Sequence, residues 1–173
     1  MSSNALSNRG PQGPQGPQGP QGPAGAGVAP LYGSFTANVT QPLVIGAEVT
    51  GALDTVEVSN GITLAGGAIT VPVTGVFVYN YSAQLVATAN VLVSIWLLVN
   101  GNPIARSNSN IALAGSARIQ IPFVEYVLPL NAGDAVIVGF STNGACDLAY
   151  IAPQVAPARP ATPALIVNCY RIG

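Results

Sequence analysis

Thr74-Gly75-Val76-Phe77-Val78-Tyr79-Asn80-Tyr81-Ser82-Ala83-Gln84-Leu85-Val86 is the stretch that decides the fold. Phe77, Tyr79, Tyr81, Ala83 and Leu85 fall on one side of an extended chain, and Asn80, Ser82 and Gln84 on the other, because successive side chains of a strand point to opposite faces. Such alternation predicts a sheet with one face in a core. A second run, residues 92–99, carries Val93, Ile95, Leu97 and Val99 on one side and Leu92, Trp96 and Leu98 on the other. Its two apolar faces predict either burial on both sides or an exposed apolar patch that a neighbouring subunit covers.

Working outward, further strands are expected at Leu31–Ala37, Leu43–Ile45, Thr55–Val58, Ala68–Val73, Arg118–Leu128, Ala135–Phe140 and Leu165–Ile172. Turn residues separate them at Asn60-Gly61, Gly66-Gly67, Asn100-Gly101, Gly133-Asp134 and Asn143-Gly144, and no stretch shows capped helical periodicity. The reading is all-β: about nine short strands, the number and spacing of a two-sheet jelly roll. An immunoglobulin-like sandwich is the competing architecture, but Trp96 precedes both cysteines, so the Cys-Trp-Cys order is absent. Residues 152–163 hold four prolines and are expected as a long, stiff loop with Arg159 at its tip, a candidate partner contact.

Ahead of this head stands a different kind of sequence. Gly-Pro-Gln repeats four times and Gly-Pro-Ala follows, placing glycine at Gly10, Gly13, Gly16, Gly19, Gly22 and Gly25. Glycine at every third position with proline behind it is the composition of a collagen triple helix, where only hydrogen fits at the axis. That reading requires three parallel chains; the alternative is a polyproline II spacer that never associates. The expected organisation is a polar leader at 1–9, a collagen-like arm at 10–27 and a trimerising jelly-roll head at 28–173.

Composition narrows the chemistry. Of 173 residues, 49% are hydrophobic and 6% charged; five arginines, no lysine and six acids give a net charge of -1. No basic patch for nucleic acid is available. No apolar run is long enough for a membrane-spanning helix. Met1-Ser-Ser-Asn-Ala-Leu-Ser-Asn lacks the pattern of a secretory signal, so the chain is expected to be made in a cytoplasm and to leave it, if at all, by another route. With no histidine or lysine, His-dependent triads, His-containing zinc sites and Schiff-base chemistry are excluded. No enzymatic activity and no cofactor are expected. Asp134 is read as capping the turn after Gly133, with calcium ligation as its alternative. Cys146 and Cys169 are read as buried free thiols or as one bridge within or between chains. Phe123 and Tyr126, with Tyr79 and Tyr81, are assigned to core or trimer packing in preference to a sugar site.

At Thr74-Gly-Val-Phe-Val-Tyr-Asn-Tyr and again at Leu128-Pro-Leu-Asn-Ala-Gly-Asp-Ala-Val, the chain resembles the complement globular head and tumour necrosis factor superfamily. Its closing segment, Ala164-Leu-Ile-Val-Asn-Cys-Tyr-Arg-Ile, is similar to that superfamily's last strand, which lies near a threefold axis. The resemblance implies a homotrimeric jelly roll. It assigns Gly75, Phe77, Tyr79, Tyr81, Trp96, Phe123, Tyr126, Gly133, Asp134 and Tyr170 to family motifs and to core or trimer packing. With a collagen arm ahead of it, the head looks most like the bacterial collagen-like glycoproteins of the spore exosporium, which implies a structural role in a spore-surface nap, appendage or fibre. The implied partners are further copies of the chain and an anchoring spore-surface protein. The rival expectation is a receptor- or glycan-binding tip, a spore adhesin or a phage tail fibre on a virion, and a weaker third is a signalling ligand.

Overall fold

The computed structural model describes residues 14–19, 30–114 and 118–173. Among these, every regular element is a strand. Chain order begins with β1 (Tyr32–Ala37), β2 (Gln41–Pro42), β3 (Val49–Thr50), β4 (Thr55–Asn60), β5 (Thr63–Ala65) and β6 (Ala68–Thr70). It continues with β7 (Gly75–Ala83), β8 (Leu85–Ala87), β9 (Val91–Val99), β10 (Asn102–Pro103), β11 (Ser109–Leu113) and β12 (Arg118–Gln120). The last six are β13 (Phe123–Leu130), β14 (Ala135–Thr142), β15 (Cys146–Leu148), β16 (Gln154–Val155), β17 (Ala158–Arg159) and β18 (Leu165–Arg171).

Two sheets carry the core. The first has the order β13-β7-β18-β1-β4; the second is built on β9 and β14, with β10 and β11 beside β9, and β6 and β3 beside β14. All strand pairs are antiparallel. Phe35, Phe77, Tyr79 and Tyr81 of the first sheet and Ile95, Leu97 and Phe140 of the second are fully buried in one cluster. Burying each such side chain stabilises the fold by about 1.5–3 kcal/mol relative to leaving it in water. This is a jelly-roll sandwich, as the number and spacing of the strands predict, and the alternation at 76–86 puts one face of its sheet in the core.

Several boundaries differ from the sequence reading, mostly at residues that cannot continue a ladder. The run at 76–86 divides at Gln84, whose N–H goes to Ala164 O (2.8 Å) and whose carbonyl takes Ala149 N–H (2.8 Å). The run at 118–128 divides before Phe123, at Pro122, and the strand expected to reach Val73 stops at Thr70, two residues before Pro72. Leu43–Ile45 is not a strand. Between Pro42 and Gly46 (φ +71°), Leu43 donates to Cys146 O and Ile45 makes a single parallel bridge to Thr142. β5, β11 and β15 go beyond the sequence expectation; β11 gains its ladder from the longer β9, while β5 pairs with β6 and β15 with β8, strands as short as themselves. The proline-rich segment is not all loop: Gln154 pairs with Arg159 and Val155 with Ala158, so Arg159 lies in the returning strand and not at the tip.

The turns follow their glycines. Asn100 (φ 52°) and Gly101 (φ 78°) are both left-handed, as a tight hairpin between β9 and β10 requires. Tyr126 closes one margin between the sheets, its hydroxyl donating to Ser107 O at 2.6 Å, while Ser107 Oγ accepts from Leu97 N at 3.0 Å. Gln41 acts as a false ladder rung: its amide donates to Ala52 O (2.9 Å) and accepts from Ala52 N (2.8 Å).

Candidate interaction faces

The outward face of the first sheet is the most distinctive surface. Its rows can be read from the strand register. Val127, Val78 and Tyr170 lie side by side, as do Glu125, Asn80 and Asn168, and then Phe123, Ser82 and Ile166. Phe123 (66% exposed), Val127 (57%), Tyr170 (39%) and Ile172 (57%) are open to solvent here. In the middle row, Asn168 Nδ2 donates to Asn80 Oδ1 at 2.8 Å. An apolar face of this size, crossed by one polar row, has the composition of a contact surface.

The aromatic residues assigned from the sequence to family motifs and packing therefore separate into four groups. Phe77, Tyr79 and Tyr81 point inward and are fully buried, so they build the head's own core. Tyr126 is half-buried at the margin between the sheets. Phe123 and Tyr170 belong to the outward face, so Phe123 is not a core residue of the head. Trp96 belongs elsewhere. It lies on the outward side of the second sheet across Gly139, where an added Cβ would fall 2.9 Å from indole Cε2 and 2.6 Å from Leu98 Cδ1. The second face of β9 is thus closed largely by its own side chains: Leu98 is buried and Leu92 remains exposed.

The motif glycines have structural causes. A Cβ at Gly75 would meet Gly173 O at 2.5 Å and Arg171 Nε at 2.6 Å, because the chain end folds over this strand. Arg171 Nε donates to Gly173 O (2.8 Å), and Val76 N donates to the same oxygen (2.9 Å). Gly133 is left-handed (φ 88°), and Asp134 beside it accepts from Asn131 N (2.8 Å) and from Asn100 Nδ2 (2.8 Å). The Asn131 backbone N–H first, and then the Asn100 amide, hold the Asp134 carboxyl below the usual carboxylate range. Both carboxylate oxygens thus serve the turn. No group of three or more His, Cys, Asp or Glu suited to a metal ion occurs among the described residues.

Cys146 and Cys169 are buried and unbridged. Burial pushes their thiols up to about 11 and about 12, respectively. Burial likewise raises the hydroxyls of Tyr79 and Tyr81; that of Tyr79 lies against the Cys169 thiol, and that of Tyr81 has no hydrogen-bond partner among the described residues.

The proline-rich hairpin exposes Val155 almost entirely, and Arg159 donates to Gln154 Oε1 across the pair. A recess of about 150 Å³ beside it is lined by Ile151, Ala152, Gln154, Arg159, Pro160 and Thr162. A larger, open groove of about 410 Å³ lies over β9 and β14 between Ile45, Leu92, Ser94, Ser141 and Asn143.

Of the collagen glycines, Gly16 and Gly19 fall among the described residues. There the chain has no regular structure, and a Cβ on either would meet nothing within 4 Å. In a triple helix the crowding comes from the other two strands. Gly10, Gly13, Gly22 and Gly25, and the leader at 1–9, lie outside the described residues. No helix among the described residues is long and apolar enough to cross a membrane.

Among solved structures, the chain is similar to the globular domain of zebrafish complement 1qA protein, with a TM-score of 0.53 at 15% identity. The match covers 84% of this chain and 98% of that one. The head has the complement-head fold. That jelly roll is shared with tumour necrosis factor, and the likeness at this identity concerns the fold. No protein-family model matches the sequence. No curated protein matches it either.

The Asn80–Asn168 pair escaped sequence reasoning. Asn80 was visible as a polar interruption opposite the aromatics, but Asn168 is 88 positions away, and nothing local to either residue announces the partner.

Proposed function

We propose that the chain is a structural surface protein: a homotrimer in which three jelly-roll heads join through the outward face of the first sheet and hold a short collagen-like arm together. The observation that carries the reading is the coincidence of a Gly-Pro-Gln repeat, whose collagen reading requires three chains, with a head whose exposed sheet face opens Phe123, Val127, Tyr170 and Ile172 to solvent around a polar row that holds one charge, Glu125. Clamping three arms side by side raises their effective concentration to the millimolar range, which offsets the shortness of the repeat. At 3.1 Å per residue the arm from Gly10 to Gly25 would project roughly 50 Å. The product is a rod with a head at one end. Its use as part of a spore-surface nap, appendage or head-to-tail fibre follows from the sequence resemblance to exosporium collagen-like glycoproteins.

Negative-stain electron microscopy combined with circular dichroism tests this. Stalked particles or filaments are expected, with a collagen-type melting transition that disappears in G16V while the head remains trimeric. Particles without a stalk, and a dichroism signal unchanged in G16V, contradict it. A second reading, a receptor- or glycan-binding tip, is favoured by one observation: the protruding hairpin with its Arg159-lined recess. Binding of the intact protein to glycans or cell surfaces that is lost in R159A would support that reading.

A further inference from the structure

We propose that the Asn80–Asn168 amide pair is a register lock, in which the donor and acceptor that the pair leaves unused bind the amides of the neighbouring heads. This rests on the trimer reading above.

The two residues face each other directly in the register of β7 and β18, the second and third strands of the first sheet. Each amide offers two N–H donors and one carbonyl acceptor. Their mutual bond uses one Asn168 N–H and the Asn80 oxygen, and within the described residues neither side chain makes another hydrogen bond. Asn80 Nδ2 therefore keeps its donors, and Asn168 Oδ1 keeps its acceptor capacity. In a lone head, water serves both.

Association changes the balance. The rows on either side are mostly apolar: Val127, Val78 and Tyr170 on one, Phe123, Ser82 and Ile166 on the other, with Glu125 beside Asn80 at the β13 end of the middle row. Covering these rows with another head expels water from the amides between them, and a buried amide left unpaired costs about 1–3 kcal/mol. An apolar face alone would accept heads that slide along the strands. With the amides in its middle, the arrangement that brings Asn80 Nδ2 of one head to Asn168 Oδ1 of the next avoids that cost. Around a threefold axis each head gives a donor to one neighbour and takes one from the other, so the ring closes with both amide oxygens paired and one N–H of each amide used. A single polar residue in an apolar seam plays the same part in coiled coils, fixing register at a cost in stability. The apolar rows supply the affinity, and the amides supply the alignment and with it the closed number of heads.

The test compares the full-length chain with N80V, N168V and the double variant N80V/N168V by native mass spectrometry over a dilution series. Valine suits a strand, and the melting of each variant checks that the head folds. Each single variant strands one amide and is expected to dissociate at about tenfold higher concentration, tenfold being 1.4 kcal/mol. The double variant is expected to associate at least as tightly as the unsubstituted chain but to lose its single mass, with dimers and larger species beside the trimer. A double variant that remains solely trimeric, or single variants no weaker than the double, would overturn the lock and leave the trimer intact. An unsubstituted chain with the mass of one chain overturns the trimer reading itself, and the lock with it.

Discussion

The two outward faces of the sandwich are built on opposite plans. On the second sheet, Trp96 lies over Gly139, Leu98 covers the same glycine, and the remaining positions are mostly small and polar, with Ser94 bonded to Asn110 (2.7 Å). That face is closed in large part within one chain, with Leu92 left exposed at the open groove. On the first sheet, Phe123, Val127, Tyr170 and Ile172 stand open around an amide pair that uses only part of its hydrogen-bonding capacity. On the proposed reading, neighbouring heads cover that face. The contrast teaches that total hydrophobicity does not mark an interface. Both faces carry large apolar side chains, and what distinguishes them is whether the chain supplies its own cover.

Substitutions can break this comparison, and the largest effect is expected from Y170E. A charge at Tyr170 would be buried unpaired in every head-to-head contact. Association is expected to be lost at micromolar concentration with the melting of the isolated head little changed, whereas L92E on the other face leaves association intact; dilution-series light scattering checks both. Next is G139V, which drives a branched side chain into Trp96 and Leu98. Overpacking of this kind costs about 1–3 kcal/mol, readable as a lower urea midpoint with the oligomer preserved. Y126F removes the hydroxyl that reaches Ser107 O at 2.6 Å, with an expected loss of about 1 kcal/mol in the same titration.

The smallest effects concern pH. The thiols of Cys146 and Cys169 stay protonated in the folded head to about pH 11 and 12, while in the unfolded chain they ionise near ordinary thiol values. Their contribution is therefore complete below about pH 8.5 and declines as pH rises from there. Alkaline melting is expected to be shallower in C146A/C169A. Asp134 has the opposite sign. Its lowered folded value means that its contribution is present above about pH 4 and fades as pH falls through the folded value, so D134N flattens the acid limb of stability.

How much of this was legible in the sequence depends on whether the information is local. The alternation at 76–86 announces an inward aromatic row, and Phe77, Tyr79 and Tyr81 form it. Asn100-Gly101 and Gly133 announce turns that the backbone realises with left-handed φ values. The turn role of Asp134 was likewise readable from its neighbour. What lay beyond reach depends on register between distant strands: Trp96 opposite Gly139, Tyr126 reaching Ser107, Asn80 facing Asn168. Short strands such as Ser109–Leu113 were also hidden, because a five-residue ladder beside β9 draws its stability from its partner and not from its own propensity. Leu43–Ile45 shows the converse, three apolar residues whose flanking Pro42 and left-handed Gly46 confine them to a single bridge at Ile45.

The central claim is that the first sheet's open face is covered by two further copies of the chain. Sedimentation equilibrium of the unsubstituted, full-length protein tests it most directly. The account predicts one species of three times the 17.4 kDa chain mass, unchanged across a hundredfold dilution. A species of 17.4 kDa, or of twice that mass, would contradict it.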